Sequence, residues 1–216
     1  AGRWRDCVAA MMLTRRLFLG TAASVAAFPA FAEEPGLRDF AARKGIAYGA
    51  ATASYELKND AFKAALLREA AILVPEYEMK RDALEAAPGH YDFVGADALV
   101  DFAGKHGLKM RGHALLWYHS NPSWLEEAVL GSRKETLITD YIAKVAGRYR
   151  GRIHSWDVVN EILKPADGCT DGLRNDFWMK AFGPSYIDIA FHAARAADPH
   201  ALLVYNDWVC EEAGND

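Results

Sequence analysis

Three short stretches of the 216-residue chain combine residue types that could act on a substrate. In Trp156-Asp157-Val158-Val159-Asn160-Glu161, an apolar run ends in an amide and a carboxyl. A carboxylic acid in that position can protonate the leaving oxygen of a glycosidic bond. The amide beside it can hydrogen-bond a sugar hydroxyl as charge develops at the anomeric carbon. In Arg111-Gly112-His113-Ala114-Leu115-Leu116-Trp117, a histidine able to hold a hydroxyl precedes an indole able to stack on a pyranose ring. In Pro75-Glu76-Tyr77-Glu78-Met79-Lys80, two carboxylates and a lysine follow an apolar run. Taken singly, each stretch has a plainer account: a surface-loop carboxylate, a core tryptophan with a satisfied histidine, and a salt-bridged loop. His113 and His119 lie six apart without a carboxylate cluster beside them, which is not a metal-ligand spacing. No metal or other cofactor is expected.

The elements that must position these residues follow a rhythm. Short apolar runs at 46–52, 72–75, 108–116, 153–159 and 201–205 read as strands. Between them, helical spacing of apolar residues appears at 59–70, 96–105, 135–149 and 185–197. Strands alternating with helices of that length make βα units and a parallel sheet. Two architectures satisfy the pattern, an open doubly wound sheet and part of a (β/α)8 TIM barrel. Strand two runs into Glu76, strand three through Arg111 and Gly112 into His113, strand four into Asn160-Glu161, and strand five into Asn206-Asp207. A barrel gathers all of those ends around one pocket, whereas an open sheet gathers only those near its switch point. The stretch Gly49-Ala50-Ala51-Thr52 also lacks the glycine pattern of a dinucleotide site. The barrel is therefore the expected fold.

Residues 11–32, MMLTRRLFLGTAASVAAFPAFA, pair Arg15-Arg16 with a short apolar run that closes on Ala30-Phe31-Ala32. This looks like a twin-arginine export signal, with the mature protein beginning near Glu33 and destined for the periplasm or the exterior. The run is short and Ala-rich beside the roughly 20 residues of a spanning helix. Residues 1–10 precede a plausible start at Met11 or Met12 and read as upstream translation. The net charge is -4. Arg3, Arg5, Arg15 and Arg16 against Asp6 give the first 32 residues +3, which leaves -7 for the rest. So acidic a domain has no electrostatic footprint for nucleic acid or an anionic membrane and is compatible with a neutral polysaccharide. Cys7, Cys169 and Cys210 match no metal pattern and read as isolated thiols, with a Cys169–Cys210 disulfide as the alternative.

Together the three stretches resemble glycoside hydrolase family 10, the xylanase family, from about Ala47 to Asp207. The likeness rests on Glu76 with Glu78-Met79-Lys80, Arg111-Gly112-His113 with Leu116-Trp117, Pro122-Ser123-Trp124, Trp156 to Glu161, and Tyr205-Asn206-Asp207. It implies a (β/α)8 barrel and endo-cleavage of β-1,4-xylan with retention. Carried over by position, Glu161 is the acid/base and Asn160 binds the sugar 2-hydroxyl. Glu76, Lys80, His113 and Trp117 shape the glycone subsites, and Asn206 sits near the nucleophile or the aglycone side. Four positions depart from the family's usual residues: Tyr77 for Asn, Tyr118 for His, Ser120 for Gln, and Trp208 for Tyr. These bear on sugar preference more than on reaction type. The family's nucleophile is a glutamate on a later strand, and Glu211 and Glu212 are not in such a context. About 184 residues follow Ala32, against about 250 for a full barrel. The expectation is thus a barrel truncated after about its fifth strand, inactive alone and monomeric, with xylan as partner. A cellulase-like β-1,4-glycanase and a non-catalytic carbohydrate-binding protein are the rival readings.

Overall fold

Five strands of the chain pair side by side in sequence order, all parallel. The computed structural model describes residues 34–169 and 172–208. The proposed export segment, Cys7 and Cys210 lie outside the described residues, and Cys169 carries a free thiol. The strands are β1 (Gly49–Thr52), β2 (Ile72–Pro75), β3 (Lys109–Trp117), β4 (Ser155–Asn160) and β5 (Leu202–Asn206). The helices are α1 (Leu37–Ala42), α2 (Asp60–Glu69), α3 (Arg81–Leu84), α4 (Val94–Lys105), α5 (Leu125–Ser132), α6 (Thr136–Arg148), α7 (Phe177–Phe182) and α8 (Ser185–Ala197). A parallel strand order that never reverses is the topology of successive units of a (β/α)8 barrel. Among the described residues, no helix is long and apolar enough to cross a membrane.

Local sequence explains why these elements form. Asn59 caps α2, its Oδ1 accepting from the amides of Ala61 and Phe62 at 3.0 and 3.1 Å. In α6, Ile138, Tyr141, Ile142, Val145 and Ala146 recur at helical spacing and are all buried. Every residue of β4 is buried, as expected of a strand covered on both faces. Gly112 and Trp156 are register partners. A Cβ on Gly112 would lie 2.1 Å from the Trp156 ring, so glycine is what lets the buried indole pack flat on β3.

Several boundaries differ from the sequence reading. β1 begins at Gly49 because Ile46 and Tyr48 are exposed and belong to the approach to the strand. β3 continues to Trp117, so His113 sits within the strand. The short helices α1, α3, α5 and α7 escape the periodicity argument because each spans about two turns or fewer.

The register is interrupted twice. Between β3 and β4 it shifts between His113 and Leu116, and between β4 and β5 it shifts between Asp157 and Val159. Strict alternation would put Asp157 and Asn160, three residues apart, on opposite faces of β4. The bulged stretch brings both toward the same group of side chains.

Candidate active site

Four strands end at one side of the sheet and deliver the side chains singled out above. Trp117, Asn160 and Asn206 are the last residues of β3, β4 and β5, and Glu76 and Glu161 directly follow β2 and β4. A cavity of about 500 Å³ is lined by Glu76, Lys80, Arg111, His113, Asp157 and Asn206, together with residues of β1 and β2. A larger groove of about 730 Å³ lies between α6 and α8 and holds none of the residues with candidate chemistry.

The centre of the arrangement is Asp157, whose side chain is 1% exposed. It accepts from Arg111 Nε at 2.9 and 3.0 Å, from Arg111 Nη2 at 2.6 Å, and from His113 Nδ1 at 2.9 Å. A carboxylate can only accept, so Nδ1 of His113 carries the proton and Nε2 is the nitrogen left for a ligand. Arg111 Nη2 also donates to Asn206 Oδ1 at 2.9 Å, which fixes the amide of Asn206. Asn206 Nδ2 then meets the Asn160 amide at 2.8 Å. Asn160 is 2% exposed and lies between two donors, Asn206 Nδ2 and, at 3.2 Å, Trp117 Nε1. Its single oxygen serves one of them at a time. When it accepts from Trp117, its nitrogen donates to the Asn206 carbonyl at 3.2 Å. The ammonium of Lys80 lies 5.2 Å from the Trp117 ring centroid, a cation–π contact that ties the β2 loop to the end of β3.

Glu161 follows Asn160 in an unusual backbone conformation, φ +55°, in the left-handed region. Its N–H donates to the Asn206 carbonyl at 2.8 Å, and its carbonyl accepts from Arg174 Nε at 2.8 Å. Burial foremost pushes the pKa of the Tyr118 phenol up; the Arg174 cation opposes the rise and the Glu161 carboxylate adds to it.

The structure brings Glu76, Lys80, His113 and Asn206 into one cavity wall. Asn160 and Trp117 are joined to that wall through Asn206 and Lys80. Glu161 adjoins it through the main chain of Asn206. Glu78 stands apart from the cavity lining: its carboxylate accepts from the Ser54 amide and so braces the loop after β1. Sequence reasoning missed Asp157, Arg111 as its partner, and Arg174. A charged residue inside an otherwise apolar strand was the available signal for Asp157. Arg174 had none.

The chain belongs to glycosyl hydrolase family 10, whose model matches residues 36–216. It is 42% identical over 146 residues to endo-1,4-beta-xylanase 2 of Claviceps purpurea, covering 66% of this chain and 43% of that protein. It is 40% identical over 142 residues to a beta-1,4-xylanase of Dictyoglomus thermophilum, covering 65% of this chain and 39% of that one. Among solved structures, xylanase B from Clostridium stercorarium F9 superposes with a TM-score of 0.73 at 30% identity, covering 80% of this chain and 55% of that one. Xylanase 10B from Thermotoga petrophila RKU-1 in complex with xylobiose superposes with a TM-score of 0.70 at 32% identity, covering 81% and 54%. The chain thus spans less than half the length of these curated relatives and about half that of the solved ones.

Proposed function

We propose that this chain forms the acid/base half of a retaining endo-1,4-β-xylanase and that Glu161 is its proton donor. The observation that carries the reading is the pinned Asn160-Glu161 pair at the end of β4, adjoining a polar cavity in a chain of this family. Glu161 would give its proton to the glycosidic oxygen as the bond to the anomeric carbon breaks and a second carboxylate adds to that carbon. It would then take a proton from the water that releases the sugar. Asn160 would hold the 2-hydroxyl. Glu76, Lys80 and His113 Nε2 would hydrogen-bond the glycone sugars, and Trp117 would offer its ring face. Asn206 would orient Asn160. Export by the twin-arginine route belongs to the same proposal, because a polymeric substrate must be met outside the cytoplasm.

The test is reducing-sugar release from xylan by the complete protein that contains this chain. Glu161→Ala should lower it by roughly 10²–10⁴-fold. Undiminished release in a folded variant would remove Glu161 from this role, and faster turnover of cellulose than of xylan would move the substrate to another β-1,4-glycan.

A further inference from the structure

The left-handed backbone of Glu161 needs an explanation beyond its neighbours in sequence. For a residue with a Cβ this conformation costs about 1–2 kcal/mol and persists only where the surroundings hold it. After Glu161 the chain leaves the sheet and turns through Pro165–Asp167. It then runs back along itself, with Leu163 bridging Leu173 and Lys164 N donating to the Gly172 carbonyl at 2.9 Å. Arg174 closes this excursion. Its own N–H donates to the Ile162 carbonyl at 2.6 Å, its Nε to the Glu161 carbonyl at 2.8 Å, and its Nη2 to the Leu163 carbonyl at 3.5 Å.

Arg174 is 7% exposed and, among the described residues, makes no ion pair with a carboxylate. A cation buried on those terms is expensive. Its donors are directed at backbone carbonyls, and its guanidinium carbon lies 3.9 Å from the centroid of the Tyr118 ring. Tyr118 follows directly on the last residue of β3. One side chain therefore grips the main chain beside the candidate acid and packs on the aromatic ring that follows β3.

We infer that Arg174 and Tyr118 are a pair of positioning residues for Glu161: Arg174 fixes its left-handed main chain, and Tyr118, packed against the guanidinium, holds Arg174 in place. This rests on the reading of Glu161 as proton donor. It accounts for a buried cation that no ion pair among the described residues explains. It also gives a role to Tyr118, which replaces the residue usual in the family.

A proton donor matters for a sugar leaving group and little for one that departs as a stable anion. The complete protein should therefore be assayed for kcat/KM on a xylo-oligosaccharide and on a xylobioside of 2,4-dinitrophenol. Arg174→Lys, which keeps the charge but loses the planar fork, should lose roughly 10- to 100-fold on the oligosaccharide, the cost of an ångström-scale displacement. It should stay within a fewfold of the parent on the dinitrophenyl substrate. Tyr118→Leu, which removes the ring beneath the guanidinium, should show the same selectivity with a smaller loss, and it decides the matter if Arg174→Lys fails to fold. Equal losses on the two substrates, or no loss in a folded Tyr118→Leu protein, overturn the inference. Glu161→Ala serves as the reference. If it loses equally on both substrates, the proton-donor reading fails, independently of the two positioning variants.

Discussion

A carboxylate such as Asp157, shut away from water and facing an arginine and a histidine, is held by its partners and in turn holds them. Removing it leaves the Arg111 guanidinium without its bidentate acceptor and lets the His113 ring turn. Asp157→Ala should therefore cost roughly 2–4 kcal/mol in urea unfolding. The exposed third of Arg111 keeps the figure below that of a fully buried pair. Turnover by the complete protein should fall at least tenfold, because His113 Nε2 and the Asn206 amide lose their fixed orientations. Asp157→Asn keeps one acceptor and should fall between the parent and Asp157→Ala in both measurements. An unaltered unfolding midpoint in Asp157→Ala would show that Arg111 and His113 are placed by something other than this carboxylate.

At the level of strands and helices, packing against Gly112 is the sharpest constraint. Gly112→Ala would push a methyl into the buried Trp156 ring and should destabilise by roughly 3 kcal/mol or more, or abolish soluble expression. Gly104→Ala is the contrast: it is an exposed position of α4 with nothing near its Cβ and should stabilise by about 0.5–1 kcal/mol. Thermal melts of the two variants check both. Much of this level was legible in the amino-acid sequence. The helices 59–70, 135–149 and 185–197 and all five strands announce themselves through apolar spacing, which α6 and β4 show most fully because α6 buries one face and β4 both. What was hidden depends on partners distant in the chain. Asp157 meets Arg111 across 46 positions. The register shifts exist only relative to neighbouring strands. Arg174 reaches Glu161 because an irregular loop doubles back. The strand-end residues Glu76, Asn160, Glu161 and Asn206 were readable because polar residues terminate apolar runs. The hydrogen bonds that orient them were not.

For the whole molecule, a tie between α4 and α6 contributes to the response to acid. Asp97 of α4 accepts from Arg148 at the end of α6, Nε at 2.9 Å and Nη2 at 2.5 Å, and from the Tyr149 hydroxyl at 3.0 Å. The Arg148 hydrogen bond in particular holds its pKa below the ordinary 3.8. Folding therefore favours the ionised form. The stability this contributes is complete above the ordinary value and is lost as the pH falls through the lower folded value. Asp97→Asn should unfold earlier than the parent at pH 6, and the gap should close by about pH 2; a gap independent of pH would exclude the linkage. The interrupted register has a consequence for recombining genes of this family. From the partners His113 and Asp157 to the partners Trp117 and Asn160, β3 uses four steps and β4 three; over the same stretch β5 uses two, from Val204 to Asn206. Where two parents differ by one residue within those intervals, a crossover there would change the count and turn the side chains downstream in that strand to the opposite face. Hybrids joined before Arg111, or in the helices between strands, keep each parent's count whole, so those are the seams along which relatives can exchange pieces.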